Sequence, residues 1–418
     1  MGLEQYNYLE RLYRFRCCEC QYVGTGKIRE KILVIKYEKI IISQTDKVVE
    51  YDIVRALLML LVVLGHCTYY QISTNYGGAY YQDLMLQAGV NDTLIHRIAS
   101  WVTSAIYTFH MPLFMALSGA VFSLQLSKGK YEELMLFIKN KFRRLLLPFL
   151  LTALFVSIPL KYFSGYWEKS DGLIWDIVIG QLLLQGNTHL WFLPTLFCEM
   201  IIFWVLYRYT NWLSNKAIYM VVILSLMHLL IKSPLGIFTY VVKFGIWFYV
   251  GMLFNEYRQD FNNVASKHKV IATGIIFLIL FIIEHILAGG DGLVRHGLVR
   301  HGVHRVAAFA TAIVGMWLFY SSCYCMWKNN IIRETKWISF LSINSMGIYL
   351  YSDPLNYTIL SWFYHTYSIC AFGNEVYAFL LYIGRFVVTF TVASIMTIAV
   401  RIVIQNFKRK ILCQRTSW

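Results

Sequence analysis

Residues 270–287 read VIATGIIFLILFIIEHIL, eighteen positions with one carboxylate and no lysine or arginine. At about 1.5 Å of rise per residue a helix of this length covers about 27 Å, close to the hydrocarbon thickness of a bilayer. A backbone in lipid must satisfy its own polar groups, which a helix does within one segment. The stretch therefore predicts a membrane-spanning helix. Working outward, nine further runs read the same way: Ile53–Tyr70, Ser104–Leu126, Leu145–Phe163, Leu190–Tyr209, Ala217–Ile231, Leu235–Phe254, Val306–Cys325, Ile338–Tyr364 and Val376–Ile404. The expected fold class is all-α, a polytopic membrane protein of about ten transmembrane helices.

Composition agrees. Hydrophobic residues make up 58% of the 418 positions and charged residues 15%, against about 45–50% and 25% in soluble domains. These values exclude a disordered chain, a nucleic-acid-binding domain and a small disulfide scaffold. An even number of spans puts both termini on one side. With the termini inside, 27 Lys/Arg fall in inner segments and seven in outer loops, out of 38. That asymmetry predicts cytoplasmic termini and a multi-pass protein of the cell membrane. It also accounts for the net charge of +15 without nucleic acid.

Three regions are expected: a basic cytoplasmic segment over 1–50, a transmembrane domain over 51–405 and a basic cytoplasmic tail over 406–418. No signal peptide is apparent, and the first apolar run is an uncleaved anchor. Cys17, Cys18 and Cys20 cluster without a second ligand pair, so no metal site is expected. Gly292–His296 repeats as Gly297–His301, too short for a repeat fold. Arg295, Arg300 and Arg305 gather in that outer loop against the charge rule.

Ionisable groups inside a membrane usually face a cavity or a partner. Arg55 and His66 lie eleven positions apart on the first span, hence on one helix face and about 16 Å apart along the axis. The spacing suits an elongated ligand, its anionic end held by Arg55 at the cytoplasm and its reactive end reaching His66. A histidine titrates near neutral pH and can act as a general base. Glu199 and Glu284 are further carboxylates within spans.

Five elements carry a family resemblance. They are Arg55 with ten residues and then His66; Phe109-His110-Met111-Pro112-Leu113-Phe114 followed by Ser118-Gly119; Lys141-Phe142-Arg143-Arg144 leading to Pro148; His189-Leu190-Trp191-Phe192-Leu193; and Ser345-Met346-Gly347-Ile348-Tyr349-Leu350-Tyr351. In this order the chain resembles the integral-membrane acyltransferase 3 family over about residues 51–405. The resemblance implies an enzyme that moves an acyl group, often acetyl, from cytoplasmic acyl-CoA to a hydroxyl of a surface polysaccharide or lipid-linked sugar. It implies His66 as the catalytic base or the acylated nucleophile, with Arg55, Lys141, Arg143 and Arg144 where CoA phosphates arrive. Arginine forks suit phosphate oxygens. His110, Ser118, His189, Trp191, Tyr349 and Asp353 are the expected substrate-binding residues. Trp191 fits an interfacial aromatic belt better than sugar stacking, and His110 equally fits a packed core. Asp353-Pro354 stands where the family commonly has His-Pro; the carboxylate is expected to pair with Arg385 or to hold a catalytic base. Only a short tail follows the last span, which implies a stand-alone enzyme or a separate extracytoplasmic transfer protein as partner. A transporter or flippase of lipid-linked sugars is the rival class, although the matching half-repeats of many transporters are absent.

Overall fold

The computed structural model describes residues 48–186, 189–210, 212–231, 236–289 and 297–415. The Cys17, Cys18 and Cys20 cluster and the first copy of the duplication, Gly292–His296, lie outside them. The second copy opens a helix.

Ten principal helices stand at the ten expected positions: α1 Val49–His66, α2 Leu94–Leu126, α3 Leu134–Phe163, α4 His189–Tyr209, α5 Ala217–Leu230, α6 Gly236–Glu256, α7 Lys267–Gly289, α8 Gly297–Lys328, α9 Lys336–Thr366 and α10 Glu375–Arg415. Seven of them, α2, α3, α4, α6, α7, α8 and α10, are long and apolar enough to cross a membrane. The other three depart for physical reasons. Helix α5 has 14 residues. Helix α1 carries Glu50, Asp52 and Arg55, and α9 carries Asn344, Asp353 and Asn356. Both polar helices are buried by their neighbours, with Val54, Val62, Ser352 and Asn356 fully enclosed. Helix α7 is the opposite case: Ile271, Ile275, Ile279, Ile282 and Ile286 are all exposed, as an apolar helix facing lipid would be.

Element ends differ from the hydropathy reading where polar contacts fix them. Helix α2 begins ten residues early, because Thr93 Oγ1 accepts from His96 N at 3.0 Å. The Glu375 carboxylate takes the free N–H groups of Leu94 and Ile95 at 2.7 and 3.1 Å, so the start of α10 caps the start of α2. Helix α3 contains two π turns, Phe142–Leu146 and Ala153–Ser157, each just before a proline, Pro148 or Pro159. Proline removes a helical N–H and crowds the carbonyl four residues back; a wider turn relieves that crowding. After α1 the chain forms an antiparallel hairpin, β1 Gln71–Thr74 with β2 Gly77–Tyr80. Arg305, in the first part of α8, donates to Leu229 O at 2.9 Å, placing one of the three clustered arginines on the C-terminal carbonyls of α5.

Helices α2 and α6 pack at backbone contact. A Cβ on Gly119 would collide with Phe248 O, and one on Gly251 with Ala116 O. Small residues let membrane helices approach closely. Gly251→Ala is therefore expected to cost about 1–3 kcal/mol through overpacking and to lower the yield of monodisperse protein in mild detergent severalfold. Gly274→Ala is the control, since its nearest new neighbour, Leu318 Cδ1, lies at 3.8 Å. Equal yields from the two variants would refute the close-approach account.

Candidate active site

Three helices meet at one carboxylate. Asp353 on α9 is almost fully buried. Its Oδ1 accepts from Tyr69 Oη at 3.0 Å and lies 3.1 Å from His66 Nδ1. Its Oδ2 lies 3.1 Å from His189 Nδ1, an ion-pair distance off the line of a straight hydrogen bond. His66 closes α1, His189 opens α4, and Tyr69 follows the end of α1.

Pro354 explains how His189 is held. In a regular helix the N–H of residue 354 would bond the carbonyl of Leu350; proline has none, so that carbonyl is released. His189 Nε2 stands 3.1 Å from Leu350 O. A carbonyl only accepts, so Nε2 carries the hydrogen and Nδ1 faces Asp353. Tyr349 Oη donates to the backbone carbonyl of His189, fixing the same residue from its other side.

His66 is fixed through its backbone. The last carbonyls of a helix lack helical partners. Here Arg385, fully buried on α10, donates through Nη2 to His66 O at 3.3 Å and through Nη1 to Tyr69 O at 2.9 Å. This ends α1 at His66 rather than at Tyr70. Arg385 thus binds the turn beside the site instead of Asp353, and the carboxylate lies against His66 and His189. His66 Nδ1 also lies 3.4 Å from Tyr107 Oη. With Nδ1 turned to Asp353 and the side chain 17% exposed, Nε2 is the ring nitrogen turned away from the carboxylate. His110 sits one ring further back, 4.8 Å from Tyr107 between centroids, its Nδ1 donating to Ile106 O at 2.9 Å.

A cavity of about 250 Å³ opens among α1, α2, α3, α4 and α9. Arg55 and Tyr349 both line it; the wall between is mostly apolar, with Met59, Met111, Phe114 and Leu196. Ser118 lines it too, its Oγ donating to Phe114 O at 2.9 Å. Arg55 Nη1 donates to Asp52 Oδ1 at 3.1 Å and lies 3.4 Å from Ser342 Oγ. Leu145, next in sequence to Arg144, shares the cavity wall with Arg55, and Arg143 and Arg144 are exposed. Lys141 differs: it is buried, donates to Tyr131 Oη at 2.9 Å and lies over that ring. Trp191 stacks on Tyr240 at 4.6 Å, apart from the carboxylate cluster. Glu199 is buried against Gly245 with Oε1 unpartnered and joins neither group.

Sequence reasoning brought out Arg55, His66, His189, Tyr349 and Asp353, all of which the fold places at the cavity or the cluster. It missed Tyr69 and Tyr107. No local pattern marks either, although Tyr69 lies on the turn beyond His66. No curated protein and no solved structure matches the chain. The model of the acyltransferase 3 family, described as an acyltransferase domain, matches residues 48–402, which include α1, the cavity and the Asp353 cluster, and the chain belongs to that family.

Proposed function

We propose that the protein is a membrane-bound O-acyltransferase that moves an acyl group, acetyl in the simplest case, from cytoplasmic acyl-CoA to a hydroxyl of a surface or lipid-linked carbohydrate. The observation that carries this reading is the cavity shared by Arg55 and Tyr349, because Tyr349 holds the backbone of His189 and His189 contacts Asp353. An acyl thioester entering beside Arg55 would be directed along α1 toward His66.

The chemistry follows from the cluster. His66 Nε2 takes the proton of the acceptor hydroxyl as its oxygen attacks the thioester carbonyl. The C–S bond breaks, and the imidazolium returns the proton to the departing thiolate. Asp353 keeps the other nitrogen as Nδ1–H and balances the positive charge while it lasts. Arg55, Arg143 and Arg144 are suited to CoA phosphates; Lys141, enclosed by Tyr131 and Phe137, supports the start of α3 instead. The Lys/Arg asymmetry supports ten crossings with cytoplasmic termini in the cell membrane.

Arg55→Ala tests the donor side. Losing a hydrogen bond to a charged group costs about 1.5–3 kcal/mol, so acetyl-CoA should bind the purified protein roughly ten- to a hundredfold more weakly. Arg55→Lys should restore part of this, since it keeps the charge without the fork. Unchanged acetyl-CoA binding by folded Arg55→Ala would remove Arg55 from the donor site.

A further inference from the structure

Lys161, near the end of α3, is fully buried. Among the described residues its Nζ has one hydrogen-bond acceptor, Gln181 Oε1 at 3.1 Å. It lies over the rings of Tyr166 and Tyr357, 4.5 and 5.0 Å from their centroids. Aromatic faces offset part of the cost of enclosing an ammonium, but an enclosed cation ordinarily has an anionic partner. The carboxylate whose field reaches it is Asp353, and its oxygens already serve Tyr69, His66 and His189.

Three more buried polar atoms on residues next to this lysine, Gln181 Nε2, Ser157 Oγ and Tyr166 Oη, have no hydrogen-bond partner among the described residues. Ser157 stands one turn before Lys161 on α3. An ammonium only donates, so Gln181 must turn its oxygen to Lys161, which leaves the amide's two N–H groups facing away. The unused capacity is thus dominated by donors: the two amide hydrogens, two hydroxyls and an ammonium that otherwise meets only aromatic faces. A set of that kind is matched by an acceptor-rich anion rather than by a neutral hydroxyl, which would bring a donor of its own. The place is also joined to the reacting centre. Tyr357 packs against Tyr69 at 5.7 Å between centroids, and Tyr69 donates to Asp353.

We infer that Lys161, Gln181 and Ser157 form a subsite for an anionic substituent of the acceptor, a carboxylate or a phosphate ester, beside the hydroxyl that is acylated. This rests on the acyltransferase reading and narrows it to acidic acceptors.

The test uses the full-length protein in lipid nanodiscs and three probes: methyl glucuronide, glucose 1-phosphate and the neutral methyl glucoside. Binding is read by calorimetry without acyl donor. Wild-type protein should bind at least one acidic probe about tenfold or more tightly than the glucoside. Preference for the glucuronide alone identifies a carboxylate, for glucose 1-phosphate alone a phosphate, and for both a general anion subsite. Lys161→Met should abolish the preference and Lys161→Arg should keep it. Should Lys161→Met fail to fold, Gln181→Leu decides: acidic-probe affinity falls severalfold while that for the glucoside does not change. Equal binding of all three probes, no binding of any, or full preference in Lys161→Met or Gln181→Leu overturns the subsite. His66-dependent release of CoA from acetyl-CoA in the same preparation tests the acyltransferase reading separately, so either can fail while the other stands.

Discussion

His66→Ala is expected to lower acyl transfer by about 10²–10⁴-fold, the usual contribution of a general base, while acetyl-CoA binding stays close to wild type. The two effects separate because His66 closes α1 at the Asp353 cluster, whereas the cavity is lined by Arg55 and not by His66. Loss of the ring also leaves Asp353 with its contacts to Tyr69 and His189, so the carboxylate is not abandoned in the core. Acylation of cellular glycans by mass and acetyl-CoA binding by purified protein are measured side by side, with size-exclusion profiles matched to wild type. Wild-type acylation by a folded His66→Ala protein would end the catalytic assignment and favour a carrier of lipid-linked sugars.

Asp353→Ala should approach the same loss, about 10²–10⁴-fold in kcat, because His66 Nδ1 loses the group that sets its tautomer and His189 loses its contact as well. Asp353→Asn separates charge from geometry. Its carbonyl oxygen can accept from His66 and Tyr69, so the contacts at Oδ1 survive without the negative charge. A loss of about 1.5–3 kcal/mol in stabilising the imidazolium makes this variant roughly ten- to a hundredfold slower. The double variant His66→Ala/Asp353→Ala should be no slower than His66→Ala alone, since groups acting as one unit are not additive. Independent, multiplying losses would show that Asp353 acts on something other than His66.

How far the chain can be read without coordinates varies with the physics. Long apolar runs such as Val270–Leu287 announce their helices because lipid permits little else. Arg55 and His66 are legible as a pair because one helix carries both. The carboxylate cluster is a different matter: Asp353 lies 287 positions from His66 and 164 from His189, and no local pattern encodes contact at that range. One clue was present in Pro354, which frees the Leu350 carbonyl for a donor from elsewhere, though it does not name His189. The hairpin Gln71–Tyr80 is hidden in a polar loop with little hydrophobic periodicity. Lys141 shows the converse limit. Its place in a basic run suggests an exposed phosphate contact, yet the aromatic rings of Tyr131 and Phe137 enclose it.

The bonds from Arg385 to the carbonyls of His66 and Tyr69 also order events in time. The two partners of the Arg385–His66 bond are 319 positions apart. At about 5–20 residues per second of synthesis, the arginine is made roughly 16–64 s after the histidine, and after every other residue of the Asp353 cluster. A nascent chain interrupted before α10 would already contain His66, Tyr69, His189 and Asp353 but would lack the clamp on the turn that carries the first two. The turn that carries His66 and Tyr69 is therefore clamped only once α10 has been made and has packed beside α1.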